Sequence, residues 1–251
     1  MSSLWPELLR ITLCPDQVVL ERGKLIITLD GMEPRYLEPE IIPVEPQHEP
    51  TLWTAPLAVL GIALDGLPEG PHDAIVILSN HFVDYPLLQA ATPDQLNNAG
   101  EVIEQPLQAA IAELLQQHDC RLTSLLPRLV AFGPSLQDEL QGESGWLVLV
   151  EEGLASIGLA LDGELTHFRN FHMWPASSSV GLLTLLDQEA FRAGLRMPPR
   201  NLLLWRRDES EEIIMPPNAA SWQITRLGDL PEGGAPYREV SQQTLLIGAR
   251  A

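Results

Sequence analysis

Apolar residues along the chain fall into short runs separated by turn residues, and this spacing is typical of an α/β protein. Near the N-terminus, three such runs predict an antiparallel meander, with turns at Pro15-Asp16 and Gly23-Lys24. The three strands are Leu8–Leu13, Val18–Arg22 and Leu25–Leu29. Residues 31–50 contain five prolines and many acidic residues, and they predict a surface loop.

Helices and buried strands alternate through the middle of the chain. Thr51–Leu64 predicts a helix with Pro56 in or just after its first turn, because leucines recur there at helical spacing. The runs Asp73–Ser79 and His81–Leu88 predict two strands. Further predicted elements are a helix capped by Thr92-Pro93-Asp94 through Asn97–Ile103, a helix over Leu107–Gln117 that Pro106 starts or kinks, a strand at Arg121–Leu125 and a helix over Pro127–Leu140.

A second three-stranded meander is predicted in the later half, where Asp162-Gly163 is the strongest hairpin signal of the chain. Its strands are Trp146–Glu151, Leu154–Leu161 and Leu165–Phe171, and a helix at Ser178–Ala193 and a strand at Asn201–Arg206 follow. The order of meander, helix and strand therefore occurs twice. This predicts two similar lobes, residues 1–120 and residues 121–251, in the outline of the actin-like, ribonuclease H-like fold.

Three segments carry a more specific likeness. Ile75–Leu88 has the sequence IVILSNHFVDYPLL, Arg121–Leu129 has RLTSLLPRL, and Gly145–Gly153 has GWLVLVEEG. In this order they resemble segments of actin-like accessory proteins from type IV pilus and type II secretion machines, namely the PilM and GspL types and the related MshI type. The resemblance covers roughly residues 50–230.

This resemblance implies a degenerate actin-like fold and a non-enzymatic cytoplasmic scaffold that acts by protein–protein docking. The implied partner is an inner-membrane assembly protein, bound through a short cytoplasmic tail, or an assembly ATPase; a homodimer is left open. Such a partner would place the chain peripherally at the inner membrane. Members of the family usually carry a further strand-rich segment after the SNHFV region, whereas Thr92–Gln117 predicts mostly helix. A missing or shortened subdomain is therefore expected.

Nucleotide-binding proteins of this fold hold phosphates at two hairpin turns, where glycines and small residues let backbone N–H groups approach the anion. The first turn here, Cys14–Gln17, has no glycine, and Pro15 lacks an N–H group. The second turn follows Val150, and its adjacent carboxylates would repel a phosphate. We therefore interpret both as degenerate phosphate turns with ordinary, solvated turn acids; the residues concerned are Asp16, Glu151, Glu152 and Gly153.

Charge limits the choice of partner. The chain has 34 acidic residues against 15 Lys and Arg residues, a net charge of −19, and Lys24 is its only lysine. Nucleic acids and anionic membrane surfaces are disfavoured as partners because phosphate binding depends on Lys and Arg, whereas a basic protein segment would be attracted. The longest apolar runs are strand-sized, and the N-terminus lacks the pattern of a secretion signal, so a cytoplasmic location without membrane insertion is expected.

No catalytic or metal-binding pattern is complete in the sequence. His167 and His172 are five residues apart on a predicted strand, so they would lie on opposite faces. Ser177-Ser178-Ser179 predicts a helix cap rather than a nucleophile, and Cys14 and Cys120 are predicted to be buried structural thiols. We expect no catalytic residue, cofactor or metal. Two alternatives stay open: a nucleotide-binding actin-like protein with a weak ATPase, and an unrelated acidic adaptor.

Overall fold

The computed structural model describes residues 7–28, 31–45, 51–85, 103–132, 139, 142–151, 153–172, 179–207 and 221–227. These residues form two compact units. The first contains the described residues up to Val83 and those from Ile103 to Ala131, and the second contains Asp84, Tyr85 and the described residues from Phe132 onward. Each unit is built around one sheet that includes a three-stranded meander, which confirms the predicted fold class.

The first unit is a mixed sheet with two longer helices. Its described strands are β1 (Glu7–Leu13), β2 (Gln17–Thr28), β3 (Gly31–Tyr36), β4 (Glu40–Pro43), β5 (His72–Leu78) and β6 (Cys120–Pro127). The order is β3-β2-β1-β5-β6, with β4 paired to the first half of β2. The meander pairs are antiparallel, whereas β1–β5 and β5–β6 are parallel. Helix α1 (Thr54–Asp65) precedes β5 and helix α2 (Gln105–Gln117) precedes β6, as parallel pairing requires.

The first meander differs from its prediction. Val18–Arg22 and Leu25–Leu29 belong, as far as Thr28, to the single strand β2, so Gly23-Lys24 is not a turn. Gly23 is needed for packing, because a Cβ atom there would lie 2.8 Å from Cδ1 of Tyr36. The third strand is β3, inside the segment predicted as a loop, and its Pro34 is tolerated because β3 is an edge strand.

The chain after β5 forms a short 3₁₀ turn, Asn80–Phe82, where a strand starting at His81 was predicted. The hydroxyl of Ser79 accepts a hydrogen bond from the His81 backbone N–H (3.2 Å), which favours a turn over an extended chain. Residues 86–102 lie outside the described residues; they include the last three residues of the strand predicted over His81–Leu88 and all but the last residue of Asn97–Ile103. β6, which the division at residue 120 assigned to the second lobe, pairs with β5 in the first sheet.

The second unit repeats the meander and adds two parallel strands. Its described strands are β7 (Gly145–Glu151), β8 (Leu154–Leu161), β9 (Glu164–His172), β10 (Asn201–Arg206) and β11 (Gln223–Arg226), in the order β11-β10-β7-β8-β9. Asp162 (φ 52°) and Gly163 (φ 80°) form the predicted hairpin turn. Strand β11 was not predicted. Of the helix predicted over Pro127–Leu140, the described residues contain the single turn α3 (Arg128–Ala131).

Both faces of the second sheet are buried. On one face, Trp146, Val148 and Val150 pack with residues of helix α4 (Ser179–Arg192), among them the fully buried Leu186. On the other face, the ring centre of Tyr85 lies 5.8 Å from that of Phe168, and the ring centre of Phe132 lies 5.5 Å from that of Trp205. Strands buried on both faces are continuous apolar runs, which is why β7 and β8 could be predicted.

Candidate functional site

The first degenerate turn joins β1 to β2 and leaves few backbone donors. The Cys14 N–H donates to the Gln17 carbonyl (2.9 Å), and Pro15 has no N–H group. The Asp16 carbonyl accepts a hydrogen bond from Val44 (2.7 Å), which ties the turn to the residue after β4. At most the amides of Asp16 and Gln17 remain for a phosphate, so the turn is a poor anion cradle.

A buried arginine lies directly below this turn. Arg128 begins α3 at the end of β6, is only 5% exposed, and donates from Nη2 to Sγ of Cys14 (3.3 Å). Cys14 is itself fully buried, which confirms the prediction of a structural thiol. Because the guanidinium points into the unit rather than to solvent, it holds the turn in place from the inside.

The only lysine of the chain lies far from the first turn. Lys24 is 72% exposed and its Nζ lies 3.6 Å from Glu7 Oε1, at the opposite end of β1 from Cys14. With a rise of about 3.3 Å per residue, the six steps from Glu7 to Leu13 along β1 correspond to roughly 20 Å. Lys24 therefore cannot reach a phosphate held at the first turn.

The second turn joins β7 to β8 and keeps one feature of a phosphate turn. Gly153 adopts φ +69°, and a Cβ atom built on it would meet no atom within 4 Å. This left-handed, open position is one where an anion could approach the backbone closely. Glu152, the neighbouring acid of the predicted site, lies outside the described residues.

Glu151 differs from the solvated turn acid that the sequence predicted, because it is only 2% exposed. It ends β7, whose other residues are also buried. Its charge acts on Tyr85 of the same unit: burial first, and then the Glu151 carboxylate, raises the pKa of the Tyr85 phenol well above its usual value. The interpretation of Glu151 as a solvated acid was therefore wrong, and Glu151 and Tyr85 form a buried polar pair.

Three side chains outside the two turns that could carry other chemistry are held in structural contacts. Ser79 of the SNHFV segment is fully buried, and its Oγ lies 2.9 Å from His81 Nδ1, so it is not an accessible nucleophile. His167 Nδ1 lies 3.0 Å from the Thr166 hydroxyl of its own strand. Burial raises the pKa of the Cys120 thiol. Among the described residues there is no group of three side chains that could bind a metal ion.

Two residues of these sites were missed from the sequence. Arg128 follows an apolar strand and a proline, and no local pattern distinguishes it from a surface arginine. Tyr85 was included in the SNHFV segment only for its resemblance, and its position beside Glu151 depends on tertiary packing. The sequence placed Asp16, Glu151 and Gly153 at turns or strand ends correctly, but it gave no indication that Glu151 is buried.

No protein-family model matches the sequence, and no curated protein matches it. Among solved structures, the chain is similar to one in the PilM–PilN type IV pilus biogenesis complex, with 14% identity and a TM-score of 0.57 over 96% of this chain and 94% of that one. The fold is actin-like.

Two further structures match less closely. One is a Bacteroides thetaiotaomicron protein with an actin-like ATPase fold and unknown function, with 8% identity and a TM-score of 0.48 over 80% of this chain and 81% of that one. The other is the Aquifex aeolicus member of the Ppx/GppA family, with 7% identity and a TM-score of 0.42 over 80% and 66% of the two chains.

The expected missing or shortened subdomain concerns Thr92–Gln117. The helix expected in place of a strand-rich segment is present in part as α2, and residues 86–102 lie outside the described residues. None of the helices in the described ranges is long and apolar enough to cross a membrane.

Proposed function

We propose that this protein is a non-enzymatic scaffold on the cytoplasmic side of a pilus, type II secretion or related envelope machine, and that it acts by docking to other proteins. The observation that carries the proposal is the first turn, where Cys14 uses its N–H group within the hairpin and Pro15 has none. An actin-like protein without this donor set lacks half of the usual phosphate cradle.

The similar pilus structure supports the type of partner. That structure is a PilM–PilN biogenesis complex, so a chain with a similar fold is found there together with a second protein. By analogy, the partner here would be an inner-membrane assembly protein that presents a short cytoplasmic tail, or an assembly ATPase. The acidic composition, with a net charge of −19, favours a tail that carries Lys and Arg.

Isothermal titration with Mg-ATP and Mg-ADP tests the absence of nucleotide function. We expect no saturable heat at nucleotide concentrations up to about 1 mM, which corresponds to a binding free energy weaker than about −4 kcal/mol. Phosphate release from ATP and from polyphosphate should stay at the level of the buffer. A micromolar dissociation constant, or turnover above that of the buffer, would overturn the scaffold proposal as stated.

A capture experiment tests the docking role. The full-length protein is immobilised and offered the separate cytoplasmic tails of single-span inner-membrane proteins encoded beside its gene. Saturable binding of one tail, with a defined stoichiometry, is expected. If none of the tails and no assembly ATPase from the same gene cluster binds, the docking role is contradicted.

A second candidate is a nucleotide-binding protein with weak or no ATPase activity. The left-handed, open Gly153 beside the buried Glu151 favours it, because this turn keeps the shape that a phosphate requires. If this candidate is right, the titration above gives a micromolar signal, and Gly153→Ala weakens it because a side chain at φ +69° is strained. Circular dichroism of the variant confirms that it is folded.

A further inference from the structure

Helix α1 of the first unit lacks the polar outer face that a surface helix normally has. Its sequence, TAPLAVLGIALD, contains no charged residue before Asp65. The inner side is buried, as expected, through Ala55, Pro56, Leu57, Leu60 and Leu64. The outer side presents Ala58 and Ile62, and Ile62 is 74% exposed. In water this side of a helix is usually polar, so an apolar outer face indicates a contact surface.

The neighbouring helix extends this surface. A Cβ atom on Gly61 would lie 3.4 Å from Cδ1 of Leu114, so α1 and α2 approach closely at the glycine that precedes Ile62, and Leu114 is half-buried there. Ala58 and Ile62 are four residues apart and therefore adjacent along the helix surface. We call Ala58, Ile62 and Leu114 together the α1 outer face.

The charged residues of α1 and α2 themselves, Asp65 and Glu113, are both acidic. The stretch from Thr51 to Cys120 contains nine acidic residues and no Lys or Arg, although the whole chain has 15 Lys and Arg residues. Asp65, at the end of α1, and Glu113, next to Leu114, are both exposed, and Asp65 Oδ1 lies 3.4 Å from His118 Nδ1. The outer side of α4 offers a contrast, because the 84% exposed Phe191 lies there between residues of both signs, with Arg192 beside it and Asp187 one turn before it.

An apolar helix face can bind a membrane surface, a second copy of the protein or a helix of another protein, and the acidic residues beside it favour one of these. An anionic membrane surface would be repelled, and a second copy of the same face would bring like charges together. A helix with an apolar stripe and flanking Lys and Arg residues matches both the apolar face and the acidic residues beside it. Its stripe would cover Ile62 and Leu114, and its cations would approach Asp65 and Glu113. We propose that the α1 outer face is the docking site for a cationic amphipathic helix of a partner protein, an inference that rests on the proposed scaffold function.

A synthetic peptide serves as the probe. It is about 18 residues long, or five helical turns, with Leu at i, i+3, i+4 and i+7 positions and Lys elsewhere, and it carries a fluorophore for anisotropy titration. One control peptide has the same composition in scrambled order, and another replaces every Lys with Glu. The full-length protein should bind the first peptide with micromolar affinity and both controls at least tenfold more weakly. Affinity should fall as salt rises, because exposed charges are screened.

Two exposed apolar residues provide matched variants. Ile62→Ser should weaken binding of the amphipathic peptide about tenfold or more, whereas Phe191→Ser, on α4, should leave it unchanged. Both residues are exposed, so both variants should melt at the temperature of the unmodified protein, which excludes unfolding as the cause. Equal binding of the scrambled peptide, or no effect of Ile62→Ser, would overturn the proposed site.

Two further measurements identify other occupants. Flotation with phosphatidylglycerol vesicles that depends on Ile62 would assign the face to a membrane, and a dimer in sedimentation velocity that Ile62→Ser dissociates would assign it to a second copy; either result contradicts the proposal. Different results would contradict the proposed docking site and the proposed scaffold function. If a native tail binds the unmodified protein and Ile62→Ser equally well, docking stands and this site does not, whereas tight Mg-ATP binding removes the scaffold function without changing the peptide result.

Discussion

A comparison of alkaline unfolding between the unmodified protein and Tyr85→Phe measures how strongly the second unit keeps the Tyr85 phenol neutral. Tyr85 is 7% exposed, and burial and the Glu151 charge raise its pKa well above the usual 10.0. A group whose pKa is raised by folding contributes its full stabilisation below the unfolded pKa, and this contribution is lost as the pH rises toward the folded pKa. Above pH 10.0, the free energy of unfolding should therefore fall by about 1.4 kcal/mol per pH unit through this one residue.

Tyr85→Phe removes this dependence of the free energy of unfolding on pH and changes the packing of the second unit little. Phe keeps the ring stacked on Phe168, and the loss of the hydroxyl should cost about 1 kcal/mol at neutral pH. Urea unfolding followed by circular dichroism, from about pH 8 to about pH 11, should then show the difference between the two proteins shrinking to zero and changing sign near the upper end. A difference that stays constant over this range would refute the buried, neutral state of Tyr85.

Tyr36→Phe in the first unit is the matched comparison. Burial also raises the pKa of Tyr36, but the Arg10 guanidinium, 4.4 Å from the ring centre, acts in the opposite direction. We therefore expect a smaller change of stability with pH for Tyr36→Phe than for Tyr85→Phe. The same result for both variants would show that the pH effect reports on tyrosines in general.

Three further predictions concern packing and thiol access. Gly23→Ala should lower the free energy of unfolding by about 1–3 kcal/mol in urea titration, because its Cβ atom would crowd the Tyr36 ring. Leu186→Ala should cost about 2–5 kcal/mol, whereas Phe191→Ser on the same helix should change stability by less than about 0.5 kcal/mol; similar losses would show that Leu186 is not in the core. Cys120 should react with a thiol reagent much more slowly in the folded protein than in urea, since burial raises its pKa, and equal rates would contradict its burial.

The second meander could be predicted from the sequence because local and tertiary preferences agree there. Its strands are short apolar runs, and Asp162-Gly163 is a pair of residues suited to positive φ, which both adopt. Helix α1 was also predictable, within three residues at its start, since leucines recur at helical spacing and Pro56 fits its first turn.

The first meander was predicted less well because two residues have non-local reasons for their positions. Gly23 resembles a turn residue in sequence, but its role in β2 is to make room for Tyr36, a residue of another strand. Pro34 argues against a strand, yet at the sheet edge its missing N–H group removes no hydrogen bond that the sheet needs. Neither reason can be recognised before the pairing of β2 with β3 is known.

The sequence predicted where the two turns of the candidate site lie along the chain, but it did not predict which of their residues are buried or what they contact. The weakness of the first turn follows from Pro15 itself, whereas the burial of Glu151 does not follow from any local pattern, because two adjacent acids at a turn are usually solvated. Arg128 lies more than 100 residues after Cys14, with which it makes its hydrogen bond, so no sequence spacing connects them. Buried polar contacts of this kind depend on the completed fold.

The division of strands between the two sheets bears on how the protein is made. The described strands of the first sheet all end by Pro127, and those of the second all begin at Gly145 or later. At a synthesis rate of about 5–20 residues per second, the ribosome needs on the order of a few seconds to extend the chain from Pro127 to His172, where the second meander ends. The first sheet can therefore pair, including its slow parallel β1–β5 and β5–β6 contacts, before the second meander has emerged to compete for its edges.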